Sequence, residues 1–280
     1  MKNTLFLLVG LWLVSCDSGV EIERLAPKDL VAVSSFISPQ DSIVRVYVYQ
    51  GKALGDIASL EKAVIKDAKV SISDGSVTQN LLFDEKTRSY AISNQILKVT
   101  ASKQYALQVS TATGTVLKAT CQVPPNPAEV QIDGVKDGND FIFSYAWPPL
   151  EKTAYFTYNF ELIDVFFRPR LGATSGPSLS LIFSADNNLF DNSDRPSKVI
   201  ERKIFNAFLA EKVSIRTVFN SIDKNTFQFL KTKTDANNWN SNASGFIPIL
   251  REPQPVFSNV TGGVGVFGGY NQRISIFKIL

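Results

Sequence analysis

The chain reads as mainly β, with an N-terminal sandwich of immunoglobulin or fibronectin type and a second β-rich domain carrying one short helix. Three observations predict this. Short runs of alternating apolar and polar residues recur along the chain, separated by Gly, Pro, Asn and Asp. Phe dominates the aromatics, and Val, Ile and Thr are common, which suits a pleated, half-buried surface. Pro124, Pro125 and Pro127 then interrupt the pattern, since proline gives a ladder no donor. The chain therefore divides into a leader (1–15), a tether (16–28), a sandwich (29–125) and a C-terminal domain (126–280).

The elements follow in order. Residues 30–36 form a first strand, and Pro39-Gln40-Asp41 a turn. In 43–49, Val44, Val46 and Val48 share the face expected to be buried, opposite Ile43, Arg45, Tyr47 and Tyr49. Ala68, Val70 and Ile72 point inward before Asp74-Gly75, a strong hairpin signal. Strands over 77–83, 89–92, 104–109 and 116–123 complete the sandwich. Beyond the prolines, 130–134 and 141–147 are strands, and 155–167 is the longest β-like segment, its Phe156, Tyr158 and Phe160 side facing the core. Further strands are expected at 179–183, 203–205 and 212–219, with a surface loop at 185–198. The one good helix spans 224–237, capped by Asp223 or Asn225, with Phe227, Leu230 and Lys231 near one face. A polar loop (237–245), a proline-rich extended stretch (248–255), a Gly-rich turn and two short strands (264–267 and 273–279) end the chain.

Composition excludes several functions. With no His, there is no imidazole for a Ser-His-Asp triad, a Cys-His pair or a His-ligated zinc. Acid–base chemistry would fall to carboxylates, Lys or Tyr. A formal net charge of +3, lower still once Lys2 leaves with the leader, argues against nucleic acid as a partner. No cofactor motif is present.

The first residues carry an address. Lys2 precedes a short apolar run that ends in Leu13-Val14-Ser15-Cys16, the form of a bacterial lipobox. Cys16 is then the lipidated first residue of the mature chain. Its acyl chains, at roughly 0.8 kcal/mol per buried methylene, make the membrane a partner. This leaves Cys121 as the only other Cys, so no intramolecular disulfide forms. Cys121 lies in an alternating stretch, as a buried strand residue would, with a reactive thiol as the other reading.

Three further sets of residues stand out. Gly262, Gly263, Gly265, Gly268 and Gly269 lack the Lys-Ser/Thr of a phosphate loop and read as close backbone packing around Phe267. Asp186, Asp191 and Asp194 offer the hard oxygens calcium takes, at a spacing that fits no EF-hand. Trp239 with Asn238 and Asn240 has the composition of a loop that contacts a ligand or partner, its ring for stacking and its amides for polar edges.

The order of features is familiar. The lipobox is followed by 67–75 (Asp67 to Gly75), then Tyr90, then 103–109, then 119–124 ending in Val123-Pro124. The terminus carries Gly262-Gly263-Val264-Gly265-Val266-Phe267-Gly268-Gly269-Tyr270. This resembles the Bacteroidetes lipoproteins grouped as domain-of-unknown-function family 4249. Lys103 departs from the Gly often found before the Tyr. The resemblance implies an outer-membrane lipoprotein of the kind that accompanies TonB-dependent transporters. The leading reading is then a lipid-anchored, surface-exposed and non-enzymatic protein that serves as an accessory binding subunit of such a transporter in nutrient uptake. A surface adhesin or structural lipoprotein is the alternative. A carboxylate-dependent hydrolase, which needs no His, ranks behind both. Asp41-Ser42-Ile43 also fits a short acceptor pattern for O-glycosylation in such proteins, at Ser42. Cells fed a clickable palmitate analogue are expected to label this protein at Cys16, and Cys16→Ser is expected to abolish the label; a mature form starting elsewhere would count against the leader assignment.

Overall fold

The computed structural model describes residues 30–51, 63–129, 131–137, 140–146, 154–167, 188–191, 200–204, 210–241 and 254–278. The first half runs β1 (Val31–Ile37), β2 (Ile43–Gln50), β3 (Lys69–Ser73), β4 (Thr78–Asp84), β5 (Ser89–Ser93), α1 (Asn94–Leu97), β6 (Gln104–Ser110) and β7 (Val116–Gln122). The second half runs β8 (Gln131–Asp137), β9 (Asp140–Ala146), β10 (Tyr155–Phe167), β11 (Asn188–Asp191), β12 (Ile200–Ile204), β13 (Ala210–Ile222), α2 (Lys224–Ser241) and β14 (Val264–Lys278). The fold is mainly β, as the alternation predicts.

The first seven strands make the sandwich. One layer is β1-β2-β5 and the other β4-β3-β6-β7, with β4 and β5 paired so that the hydrogen-bonded order passes from one layer to the next. Both layers turn their alternate residues into one core. Val44, Val46 and Val48 of β2 are at most 1% exposed, and Val70, Ile72, Tyr105, Leu107 and Val109 meet them from the opposite layer. Each such side chain contributes about 1.5–3 kcal/mol on burial. Tyr105, fully buried near the start of β6, accepts from the Thr100 amide at 2.8 Å and donates to the Lys98 carbonyl at 3.3 Å. That is the tyrosine corner of immunoglobulin-like sandwiches, which fixes the crossing from one layer to the other.

The Asp74-Gly75 hairpin forms as expected. Gly75 has φ +88°, and Asp74 accepts from the Ser76 and Val77 amides at 2.9 and 2.8 Å. The Lys103 ammonium lies 2.6 Å from the same carboxylate and, with those amides, holds it below the ordinary carboxylate range.

The C-terminal strand differs from its sequence reading. The two short strands expected at 264–267 and 273–279 are one continuous 15-residue strand, longer than the 13 residues of β10. Its first half pairs in parallel with β1, from Ala32↔Val264 to Ile37↔Gly269. Its second half pairs antiparallel with β13, from Tyr270↔Ile222 to Lys278↔Ser214. The last strand of 126–280 therefore completes the sandwich of 29–125, and Phe267 is fully buried in that core. The glycines serve close backbone approach, as their sequence reading has it. At Gly265, φ is +128° and a methyl group would collide with the Val33 carbonyl.

Two more readings need correction. Residues 188–191, placed in a surface loop, form β11 on the edge of β10. The helix does not stop at 237 but runs to Ser241. Asp223 is the cap, accepting from the Thr226 amide at 2.8 Å. Packing then carries the helix through a polar composition: Phe229 lies against Phe36 at 6.0 Å and Phe227 against Tyr155 at 4.5 Å between ring centroids. The expected strand at 179–183 lies outside the described residues. Among the described residues, no helix is long and apolar enough to cross a membrane.

Phe267→Ala is expected to lower stability by about 3–5 kcal/mol. Gly265→Ala should cost about 2 kcal/mol or more through backbone strain and collision. Urea unfolding followed by tryptophan fluorescence measures both, and a Gly265→Ala curve that overlays the parent would contradict the parallel pairing.

Candidate functional site

The outer face of β3, β6 and β7 carries a concavity. Strand alternation puts Ser71 and Ser73 of β3, Ala106 and Gln108 of β6, and Lys118 and Thr120 of β7 on that face. Register aligns them in rows, Ser71-Gln108-Lys118 and Ser73-Ala106-Thr120. Ala106, the short side chain of the second row, forms the floor of a groove of about 380 Å³.

One wall is built by the chain entering β14. Thr261 forms an isolated bridge to β7, donating to Lys118 O at 2.8 Å and accepting from Lys118 N at 3.0 Å. Asn259 fixes the stretch before it. Its amide nitrogen donates to Thr120 O at 3.0 Å and Phe267 O at 2.8 Å, while its oxygen accepts from Phe267 N at 3.0 Å. Gly262, with φ +81°, passes so close to the Val116 carbonyl that a Cβ would strike it. Below the bridge, the β7 edge is satisfied by side chains. Asn225 donates to Thr120 O at 3.0 Å, and the Asp223 carboxylate accepts from Gln122 N at 3.3 Å. The rim is thus set by the sandwich, β14 and the start of α2 together.

The side chains left free in the groove define its chemistry. Ser71, Thr78, Gln108, Lys118, Thr120 and Thr261 make no side-chain hydrogen bond to other described residues. They offer hydroxyls, one amide and one ammonium. Ser73 is committed to the hairpin, donating to Val77 O at 3.2 Å. Cys121 faces the other way, buried in the core, and burial pushes its thiol well up, with the Asp223 charge adding to the effect. It is an inert strand cysteine, as the alternation implies.

The residues singled out from the sequence lie elsewhere. Asn238, Trp239 and Asn240 sit on the last turns of α2, not on a loop; Asn238 is exposed and is not among the groove residues. Ser42 is exposed in the turn between β1 and β2, its carbonyl accepting from Asn94 N at 3.0 Å. Asp191 ends β11, whereas Cys16, Asp186 and Asp194 fall outside the described residues. Among the described residues, no three His, Cys, Asp or Glu side chains gather as a metal site. The groove residues went unnoticed because each is an ordinary outward strand position. The available signal was their joint lack of carboxylates and bulk.

The architecture defines an immunoglobulin-like sandwich extended by a second sheet through a shared strand. The family model described as a domain of unknown function (DUF4249) matches residues 19–275, and the chain belongs to that family. No curated protein matches it. Among solved structures, the chain is similar to the alpha chain of the chicken interferon gamma receptor, at 8% identity over 69% of this chain and 90% of that one, with a TM-score of 0.22.

Burial is the main cause that raises the Asp223 carboxyl above its ordinary value of 3.8, against the lowering effect of its hydrogen bonds. A raised acid binds more protons folded than unfolded, so its contribution to stability declines as pH rises from about 3.8 through the folded-state value. Asp223→Asn keeps a competent cap. Its unfolding free energy is expected to decline less than the parent's across that window, as measured by urea titration at stepped pH; parallel profiles would contradict the assignment.

Proposed function

We propose that this protein is a lipid-anchored, non-enzymatic binding module of the outer membrane, an accessory subunit that holds ligand or partner beside a TonB-dependent transporter. The observation that carries the reading is the placement of Cys16 about 15 residues ahead of β1. Fully extended, that tether spans at most about 50 Å. An acylated Cys16 would keep the sandwich within that reach of the bilayer and raise its effective concentration at a neighbouring barrel. The groove is in keeping with a binding role, since its lining supplies hydroxyls, an amide and an ammonium that can hold a polar molecule, and lacks the pair of carboxylates that a carboxylate-dependent hydrolase needs. The family match supports the kinship on which the transporter partnership rests.

Tagged native protein, extracted from outer membranes in mild detergent, is expected to bring down a barrel protein in stoichiometric amount. Cys16→Ser should lose it. Labelled, correctly anchored protein that recovers no barrel would defeat the proposal.

A further inference from the structure

We infer that the groove over β3, β6 and β7 binds a small, hydroxyl-rich oxyanion, an acidic saccharide in chemical class. The inference rests on the reading of the protein as a binding module and adds the nature of what is bound.

Charge comes first. No Asp or Glu occupies an outward position of β3, β6 or β7, although the chain holds 26 acids. The carboxylate of Asp74, next along the chain from Ser73, is neutralised by Lys103 at 2.6 Å. Lys69 and Lys118 stand on the same face with no carboxylate partner among the described residues. An anion meets an uncompensated ammonium here and no repulsion.

Hydrogen bonding comes second. Around Lys118, the free hydroxyls of Ser71, Thr78, Thr120 and Thr261 and the Gln108 amide both donate and accept. A polyol, whose hydroxyls do the same and whose C–H faces suit the small apolar part of the lining at Ala106 and Ala119, matches it; a nucleotide base would be favoured by an aromatic ring to stack on, and no aromatic side chain lines the groove. A peptide would be favoured by a deep apolar pocket for a large side chain, whereas the outward apolar side chain on this face is the methyl of Ala106, with Leu107 and Ala119 turned into the core.

Shape comes third. At about 380 Å³ the groove lies at the small end of ligand sites, ~300–1,000 Å³, which suits a short oligosaccharide more than a folded partner. Its rim is held by the Lys118–Thr261 bridge and by Asn259, so the lining is set before a ligand arrives.

The full lipidated protein in detergent is titrated calorimetrically with trigalacturonate, with a sulfated disaccharide and with neutral maltotriose. Saturable binding of at least one acidic probe is expected, at least about tenfold tighter than maltotriose and weakened by salt. Lys118→Gln should weaken it about tenfold, and Ala106→Leu, which fills the floor, should abolish it. Both positions are exposed, and thermal melts of the two variants verify the fold. Carboxylate and sulfate sources separate by which probe binds. The inference is overturned if neither acidic probe binds, if maltotriose binds equally well, or if both variants bind like the parent. Barrel recovery by Lys118→Gln distinguishes the two proposals: if it persists while saccharide binding is absent in the parent, only the ligand assignment fails.

Discussion

The parallel pairing of the glycine-rich half of β14 with β1 is the constraint on which the other parts depend. Along Ala32–Ile37 it brings Val266 and Phe267 to full burial, Phe267 inside the sandwich core. The same strand continues past Tyr270 into the β13 ladder, so one rigid element belongs to two sheets. Helix α2 packs over the joint, with Phe229 on Phe36 and Thr226 buried beside Gly268. Chain segments that enter and leave that strand are thereby fixed, and they include the wall of the groove.

Polar satisfaction at the joint shows how the fold tolerates a strand shared in this way. Because β14 leaves β7 beyond the Thr261 bridge, the lower edge of β7 has no full ladder partner there. Side chains stand in for it: Asn259 and Asn225 on the Thr120 carbonyl, Asp223 on the Gln122 amide. At the opposite end, fully buried Asn271 donates to Pro124 O at 3.1 Å and accepts from Gln40 at 2.7 Å, and Tyr270 donates to Asp41 at 2.6 Å. Burial and this bond with Asp41 raise the Tyr270 phenol, while burial raises the Asp41 carboxyl. Residues that look like polar loop chemistry in the sequence are thus the fastenings between the sandwich and the second sheet.

The legible parts of the fold were those set by local pattern. The valines of β2 alternate because one face is core, and Asp74-Gly75 turns because Gly accepts φ +88° and Asp caps its own turn. Asp223 as a cap and Cys121 as a core residue follow from the same short-range logic. The misread parts were decided by distant partners. Residues 268–272 looked like a break between two short strands because glycine weakens a strand, but β1 lies alongside and β14 runs through them. Residues 237–241 looked like loop because Asn favours caps and turns, yet the helix that Asp223 starts continues through them. The groove was invisible for a different reason: Ser71, Gln108 and Lys118 lie far apart in the chain and carry no motif, and only strand register makes them neighbours.

By itself, then, the chain's order of residues determined its β character, its sandwich strands, the buried face of each, and a family kinship carried by motif order. Those properties depend on side chains within a few positions of one another, where alternation and turn chemistry act. Tertiary structure alone decided that the last strand completes the first domain, that an exposed sheet face becomes a walled groove, and which polar residues are fastened and which are free. Each of these requires segments more than a hundred residues apart to touch, and backbone ladders between them leave no periodic trace in either segment.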